Sequence, residues 1–139
     1  MKCLRIYATA DGESHLDEID IPTPHGPKLP GLARFEISAD YPASRIHFIR
    51  IPAGRPEVGW HTVPERVLTV RLNGGAEYQA SDGAVRYVRP GGMVLVEDTH
   101  GKGHITRHSG EEQTVLWIVL PDGLDLPAWP GHEPVNAPR

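Results

Sequence analysis

Turn-forming residues cut the middle of this chain into pieces of strand length. Asn73-Gly74-Gly75, Asp82-Gly83 and Pro90-Gly91-Gly92 separate residues 67–72, 76–81, 84–88 and 93–96, which are rich in β-branched and apolar residues. Asp82-Gly83 accepts the positive φ values of a two-residue hairpin turn, so 76–81 and 84–88 are expected to pair. The same strand signals recur at 4–9, 34–37 and 45–51, and 114–120 reads as a core strand. About eight short strands between turns predict an all-β sandwich or barrel in a single domain.

Composition agrees with that pattern. The 139 residues include 15 glycines and 14 prolines, a balance suited to short elements joined by turns rather than to long helices. A chain of this length buries roughly two-thirds of its unfolded surface, enough for one core. Residues 21–31 hold four prolines and two glycines, which excludes helix interior and central strand and predicts a loop over the surface or over an opening. After Leu120 the composition turns to Pro, Gly, Asp and Glu, so 1–120 is read as the domain and 121–139 as a tail anchored through Leu126 and Trp129.

The net charge of −4 is spread without acidic or basic runs, leaving no electrostatic footprint for nucleic acid or an anionic membrane. No window approaches eighteen apolar residues, and the first ten lack an apolar core with a cleavage site. One cysteine, Cys3, forms no internal disulfide and fits a reducing compartment. These features predict a cytoplasmic protein whose partner is a small molecule or another protein. Gly101-Lys102-Gly103 is too short for a phosphate loop, so nucleotide cofactors are not indicated.

Chemistry concentrates around Trp60-His61 and Glu97-Asp98-Thr99-His100-Gly101-Lys102-Gly103-His104. Histidines delivered by two separated strands are one way for a small β-domain to build an interior site. His61 reads either as a hydrogen-bonded interior histidine or as a ligand or acid–base group. Glu97 and Asp98 read as a catalytic carboxylate pair, one protonated and one ionised, or as turn caps and ion-pair partners of Lys102, Arg86 or Arg107. His47, His108, His25 and His132 read as surface residues. Asp11 to Ser14 is first a turn signal.

The order His61, strand 67–72, Asn73-Gly74, hairpin, Pro90-Gly91-Gly92, strand, His104 resembles the two motifs of the cupin superfamily. Asp11-Gly12-Glu13-Ser14-His15, Trp60-His61 before Pro64, Asp82-Gly83 before Arg86, and Glu97-Asp98 before Gly101-Lys102-Gly103-His104 resemble a group of small bacterial and fungal cupins without a settled function. The resemblance covers about Leu4 to Leu120 and implies a jelly-roll β-barrel. It further implies a pocket for a small organic molecule, a single divalent metal ion such as Zn, Fe, Mn or Ni, and a homodimer paired through edge strands. His61 fills the first ligand slot of the first motif, Val63 and Val67 stand where a second His and a Glu are usual, and His104 matches the second motif's His. The 97–104 segment is two residues longer than usual and lacks the usual Pro at Glu97.

A transition-metal site needs about three protein ligands, and His61 with His104 supplies two. His100 and Glu65 are the candidate completions, together with Glu97, Asp98 and the more distant His15. Glu65 shares the parity of His61, but four extended residues span roughly 13 Å unless a bulge at Pro64 shortens the path. The expected catalytic set is therefore His61, Glu97, Asp98 and His104, and the expected metal set His61, His104, His100 and Glu65. Three roles follow: metal-assisted or metal-free chemistry of isomerase, lyase or oxygenase type; a ligand-binding or sensing module; or a dimeric scaffold.

Overall fold

The computed structural model describes residues 1–23, 36–54 and 57–125. Among them there is no helix, and thus none long and apolar enough to cross a membrane. Ten strands follow one another: β1 (Lys2–Ala8), β2 (Ser14–Asp20), β3 (Arg45–Ile51), β4 (Val58–His61), β5 (Val67–Arg71), β6 (Ala76–Ala80), β7 (Val85–Val88), β8 (Met93–Val96), β9 (His104–His108) and β10 (Gln113–Val119). They form a six-stranded sheet, β2-β1-β8-β5-β10-β3, and a four-stranded sheet, β4-β9-β6-β7.

The all-β architecture is as the turn spacing predicts, and β3 and β8 occupy the residues expected for them. The β6–β7 hairpin pairs Gln79 with Val85 and Ala76 with Val88, with Gly83 at φ 93° in its turn. The strand β2 is not foreseen: Ser14–Asp20 is mostly polar, as suits an edge strand, and its ladder to β1 runs unbroken from Lys2↔Asp20 to Ala8↔Ser14. A strand expected at 34–37 falls partly outside the described residues, and Glu36 makes only an isolated bridge. Most of the Pro-rich loop, His25, His132, Leu126 and Trp129 also lie outside them.

Strand parity builds the core. On β5, Val67, Thr69 and Arg71 are buried while Leu68 and Val70 are only partly so. Val67, Val94, Val96, Tyr78, Ile6 and Val119 join in a cluster that packs side chains of both sheets. The opposite parity of β8 sends Leu95 into a second cluster with Cys3, Ile19, Ile21, Leu120 and Leu124. Leu124 is 2% exposed, so packing continues past the expected boundary at 120. Burial raises the Cys3 thiol to about 12, with the Glu97 charge adding to the effect; it is a core residue rather than a nucleophile.

Candidate functional site

A cavity of about 300 Å3 takes its wall from both sheets. Ile49 and Ile51 of β3, Val115 and Trp117 of β10 and Val96 of β8 give it an apolar side. Its polar groups come from β4, β5, β6 and β9: His61, Thr69, Arg71, Tyr78, His104 and His108. Val63 and Val67 also line it, which puts the two valines on the same wall as His61.

His61 and His104 face one another across the β4–β9 ladder, as direct register partners beside a shift in the pairing between Val58 and His61. A bulge of this kind bends a strand and re-aims its side chains. The two rings stand 4.4 Å apart between centroids and are tilted by 55°, while Trp60, of opposite parity, is half exposed. His61 Nδ1 donates to the Gly59 carbonyl at 2.6 Å. His104 Nδ1 donates to Asp98 Oδ2 at 2.6 Å. Because a carbonyl and a carboxylate only accept, both rings carry the proton on Nδ1 and leave Nε2 as the basic nitrogen.

Asp98 is fully buried behind His104, and its other oxygen, Oδ1, has no hydrogen-bond donor. A carboxylate so placed holds the imidazole in one tautomer and stabilises the imidazolium that would form on proton uptake. Glu97 does not join it. Glu97 and Asp98 directly follow β8 and continue its alternation of faces, and Glu97 Oε2 lies 3.7 Å from Arg66 Nε, on the side of Cys3 and Arg5. The expected carboxylate pair is thus split by strand parity, and Glu97 serves an ion pair with Arg66 rather than with Lys102, Arg86 or Arg107.

Glu65 pairs with Arg45 at the surface, and His100 is exposed in the 97–104 loop; neither lines the cavity. Among the described residues no group of three or more His, Cys, Asp or Glu is placed to hold a metal ion. Three imidazoles line the cavity, but only His61 and His104 stand together; Asp98 is committed to His104, His108 faces Arg71, and Val63 and Val67 also line the wall. This falls short of the three ligands a protein metal centre uses.

The Asp11-to-His15 segment clamps the site from outside. Glu13 accepts from Ser81 Oγ at 2.6 Å and pairs with Lys102. Ser14 Oγ donates to the Gly103 carbonyl at 2.7 Å, and Lys102 N donates to the Gly12 carbonyl at 2.8 Å. His15 sits between Thr9 Oγ1, at 2.9 Å, and Asp82 Oδ2, at 2.8 Å, so it is spent on this network. Gly103, at φ 76°, packs so tightly on the His61 carbonyl that a Cβ there would overlap it. The residues Asp11-Gly12-Glu13-Ser14-His15, Asp82-Gly83 and Gly101-Lys102-Gly103 therefore meet in one network that fixes the chain entering His104.

Arg71 and Tyr78 escape a reading by sequence, and His108, expected at the surface, lines the cavity instead because β9 parity turns it to the side of His104. Arg71 is 1% exposed and donates to Tyr78 Oη at 3.0 Å, to His108 Nδ1 at 3.3 Å and to Gln113 Oε1. Tyr78 is buried beside it, with its ring 6.2 Å from that of His104. Burial raises the Tyr78 hydroxyl above its ordinary range, against the pull of the Arg71 charge, so it remains a proton donor. The signal that was available is parity: Arg71 is two residues on from Thr69 and four from Val67, and His108 four from His104.

No protein-family model matches the chain, and no curated protein matches it. Among solved structures it is similar to protein NMB1881 from Neisseria meningitidis, with 20% identity, coverage of 58% of this chain and 82% of that one, and a TM-score of 0.42. It is also similar to the conserved SPY1581 protein of unknown function from Streptococcus pyogenes, with 19% identity, coverage of 61% of this chain and 68% of that one, and a TM-score of 0.42.

Proposed function

We propose that the protein is a small cupin that takes a small organic molecule into the inter-sheet cavity and moves a proton on it, with His104 as the base. The strand order supports the fold reading: β3-β10-β5-β8 opposite β4-β9-β6-β7 is the arrangement that two Greek keys produce in an eight-stranded jelly roll, with β1 and β2 added beside β8. The observation that carries the functional reading is the buried Asp98–His104 pair opening onto a largely apolar cavity. Burying a carboxylate is costly unless it is closely matched, and a carboxylate on Nδ1 orients an imidazole and stabilises the imidazolium formed when it acts as a general base.

In this reading Asp98 fixes the Nδ1–H tautomer, His104 Nε2 accepts a proton from a carbon acid or hydroxyl of the ligand and, as the imidazolium, returns it to a neighbouring atom of the ligand, while His61, 4.4 Å away ring to ring, offers its Nε2 as an acceptor to a ligand hydroxyl. Isomerisation and lyase steps share this chemistry. Because only two of the cavity's imidazoles stand together and no third ligand joins them among the described residues, no step is routed through a metal.

A second reading, capture of the ligand without transformation, draws support from Val63 and Val67, which make the wall next to His61 apolar. Hydrogen–deuterium exchange separates the two. A panel of small ketones, keto acids and hydroxy ketones is incubated in D2O with the protein, and loss of C–H signals is followed by NMR. Exchange into one or more members by wild type, lost in His104→Ala and in His104→Gln, supports proton transfer. Exchange equal to the buffer rate across the panel would remove it and leave capture.

A further inference from the structure

The cavity that holds His61 and His104 also holds a buried cation, Arg71, with no anion beside it among the described residues. Arg71 is 1% exposed, and its partners are a tyrosine hydroxyl, a glutamine oxygen, a backbone carbonyl and a histidine nitrogen. Among the described residues no aspartate or glutamate lines the cavity, and no ion pair forms at the Arg71 guanidinium. The other buried arginine among the described residues, Arg5, is paired with Asp17. Neutral acceptors satisfy hydrogen bonds but leave the charge itself uncompensated in a low-dielectric wall.

The guanidinium is also not saturated. Of its five N–H groups, Nε is engaged by Gly74 O at 3.4 Å, Nη2 by Gln113 and His108, and Nη1 by Tyr78 Oη only, which leaves one Nη1 hydrogen. Tyr78 Oη accepts from Arg71 and keeps its own hydrogen to give. His108 accepts through Nδ1, so its own ring proton sits on Nε2. A pair of donors, one charged, thus stands side by side on the cavity wall, which is the arrangement that receives two oxygens of one acid group.

We propose that Arg71 and Tyr78 anchor the acid group of the ligand, so that the cavity takes small organic carboxylates in preference to neutral molecules. One uncompensated positive charge matches a monoanion, and a phosphate dianion would leave a buried negative charge in its turn. The Tyr78 ring stands 6.2 Å from the His104 ring, so a carboxylate held by Arg71 and the Tyr78 hydroxyl leaves the rest of a small acid beside His104 and His61. The proposal rests on the reading of the cavity as a ligand site and assigns the class of molecule that fills it.

The test uses benzoate, phenylacetate and hexanoate, each against its neutral primary amide, with binding to the full chain measured by calorimetry. The expected result is that at least one acid binds wild type about tenfold or more tighter than its amide. Tyr78→Phe, which removes one oxygen from the core, is expected to cut that preference severalfold, and Arg71→Met to abolish it. Should Arg71→Met fail to fold, Arg71→Lys and Tyr78→Phe decide the point. His61→Ala is expected to keep the acid preference, because it leaves the anchor intact. Acid and amide binding equally well would overturn the anchor while the ligand cavity stands; a preference that survives Tyr78→Phe and the Arg71 variant would overturn it too. No binding of any probe would remove both.

Discussion

His61 and His104 are cross-strand partners whose rings stand 4.4 Å apart, each with Nδ1 held by an oxygen acceptor. Their supports differ. Gly59 O is a backbone carbonyl, whereas Asp98 is a fully buried carboxylate, so the same substitution has different consequences at the two positions.

His104→Ala is expected to destabilise the protein by about 3–5 kcal/mol, because it strands the Asp98 charge in the interior. His61→Ala is expected to cost about 1 kcal/mol or less, since its ring is only half buried. Adding Asp98→Ala to His104→Ala should recover part of the loss, and a double-mutant cycle in urea reads the coupling directly. Equal costs for the two histidines, or no recovery in the double variant, would contradict the arrangement.

Gly103→Ala is expected to lower stability by about 2 kcal/mol or more. It puts a side chain at φ 76° and drives a Cβ into the His61 carbonyl, separating β4 from β9. The melting temperature measures the loss, and weaker acid binding would accompany it.

The clamp around Glu13 predicts an acid limb. The hydrogen bond from Lys102, and then that from Ser81, holds the Glu13 carboxyl below its usual range, and the Thr9 hydroxyl, followed by the Glu13 backbone N–H, does the same for Asp11. Groups depressed on folding contribute stability that is complete above their unfolded value of about 4 and is lost as the pH falls through the folded value. The melting temperature should therefore fall on acidification below about pH 4, and fall less in Glu13→Gln. An unchanged acid profile in that variant would show that the clamp is not linked to protons.

Val67→Glu is expected to create zinc or nickel binding by adding a carboxylate to the wall shared with His61. Elemental analysis after dialysis gives the answer, with His61→Ala in the same background as control. Failure to gain metal would show that position 67 does not correspond to the carboxylate slot of the resembling motif.

Architecture was legible because turn residues and strand parity are local signals: the Asp82-Gly83 hairpin and the runs at 45–51 and 93–96 need only short-range sterics. His61 and His104 were legible for the same reason, as isolated histidines on separate strands. What sits beside them was not. Glu97 and Asp98 are adjacent in sequence yet serve opposite faces, and only the direction in which β8 ends decides which one meets His104. Arg71 in a strand reads as an outward charge until Tyr78, Gln113 and His108, from three other strands, are brought to it. The Asp11-to-His15 motif carries chemistry-bearing residue types, but its partners Ser81, Asp82 and Lys102 are 67 to 89 residues away, so its structural use emerges only from the pairing of distant turns.

The most direct test of the account is the tautomeric state of His61 and His104 in the free protein, read by long-range 15N–1H correlation NMR. The account predicts the Nδ1–H form for both rings at neutral pH, with an unprotonated Nε2, and a changed His104 pattern in Asp98→Asn while His61 stays as it was. An Nε2–H form at His104, or a His104 spectrum indifferent to Asp98→Asn, would contradict the claim that Asp98 prepares His104 as the base of the cavity.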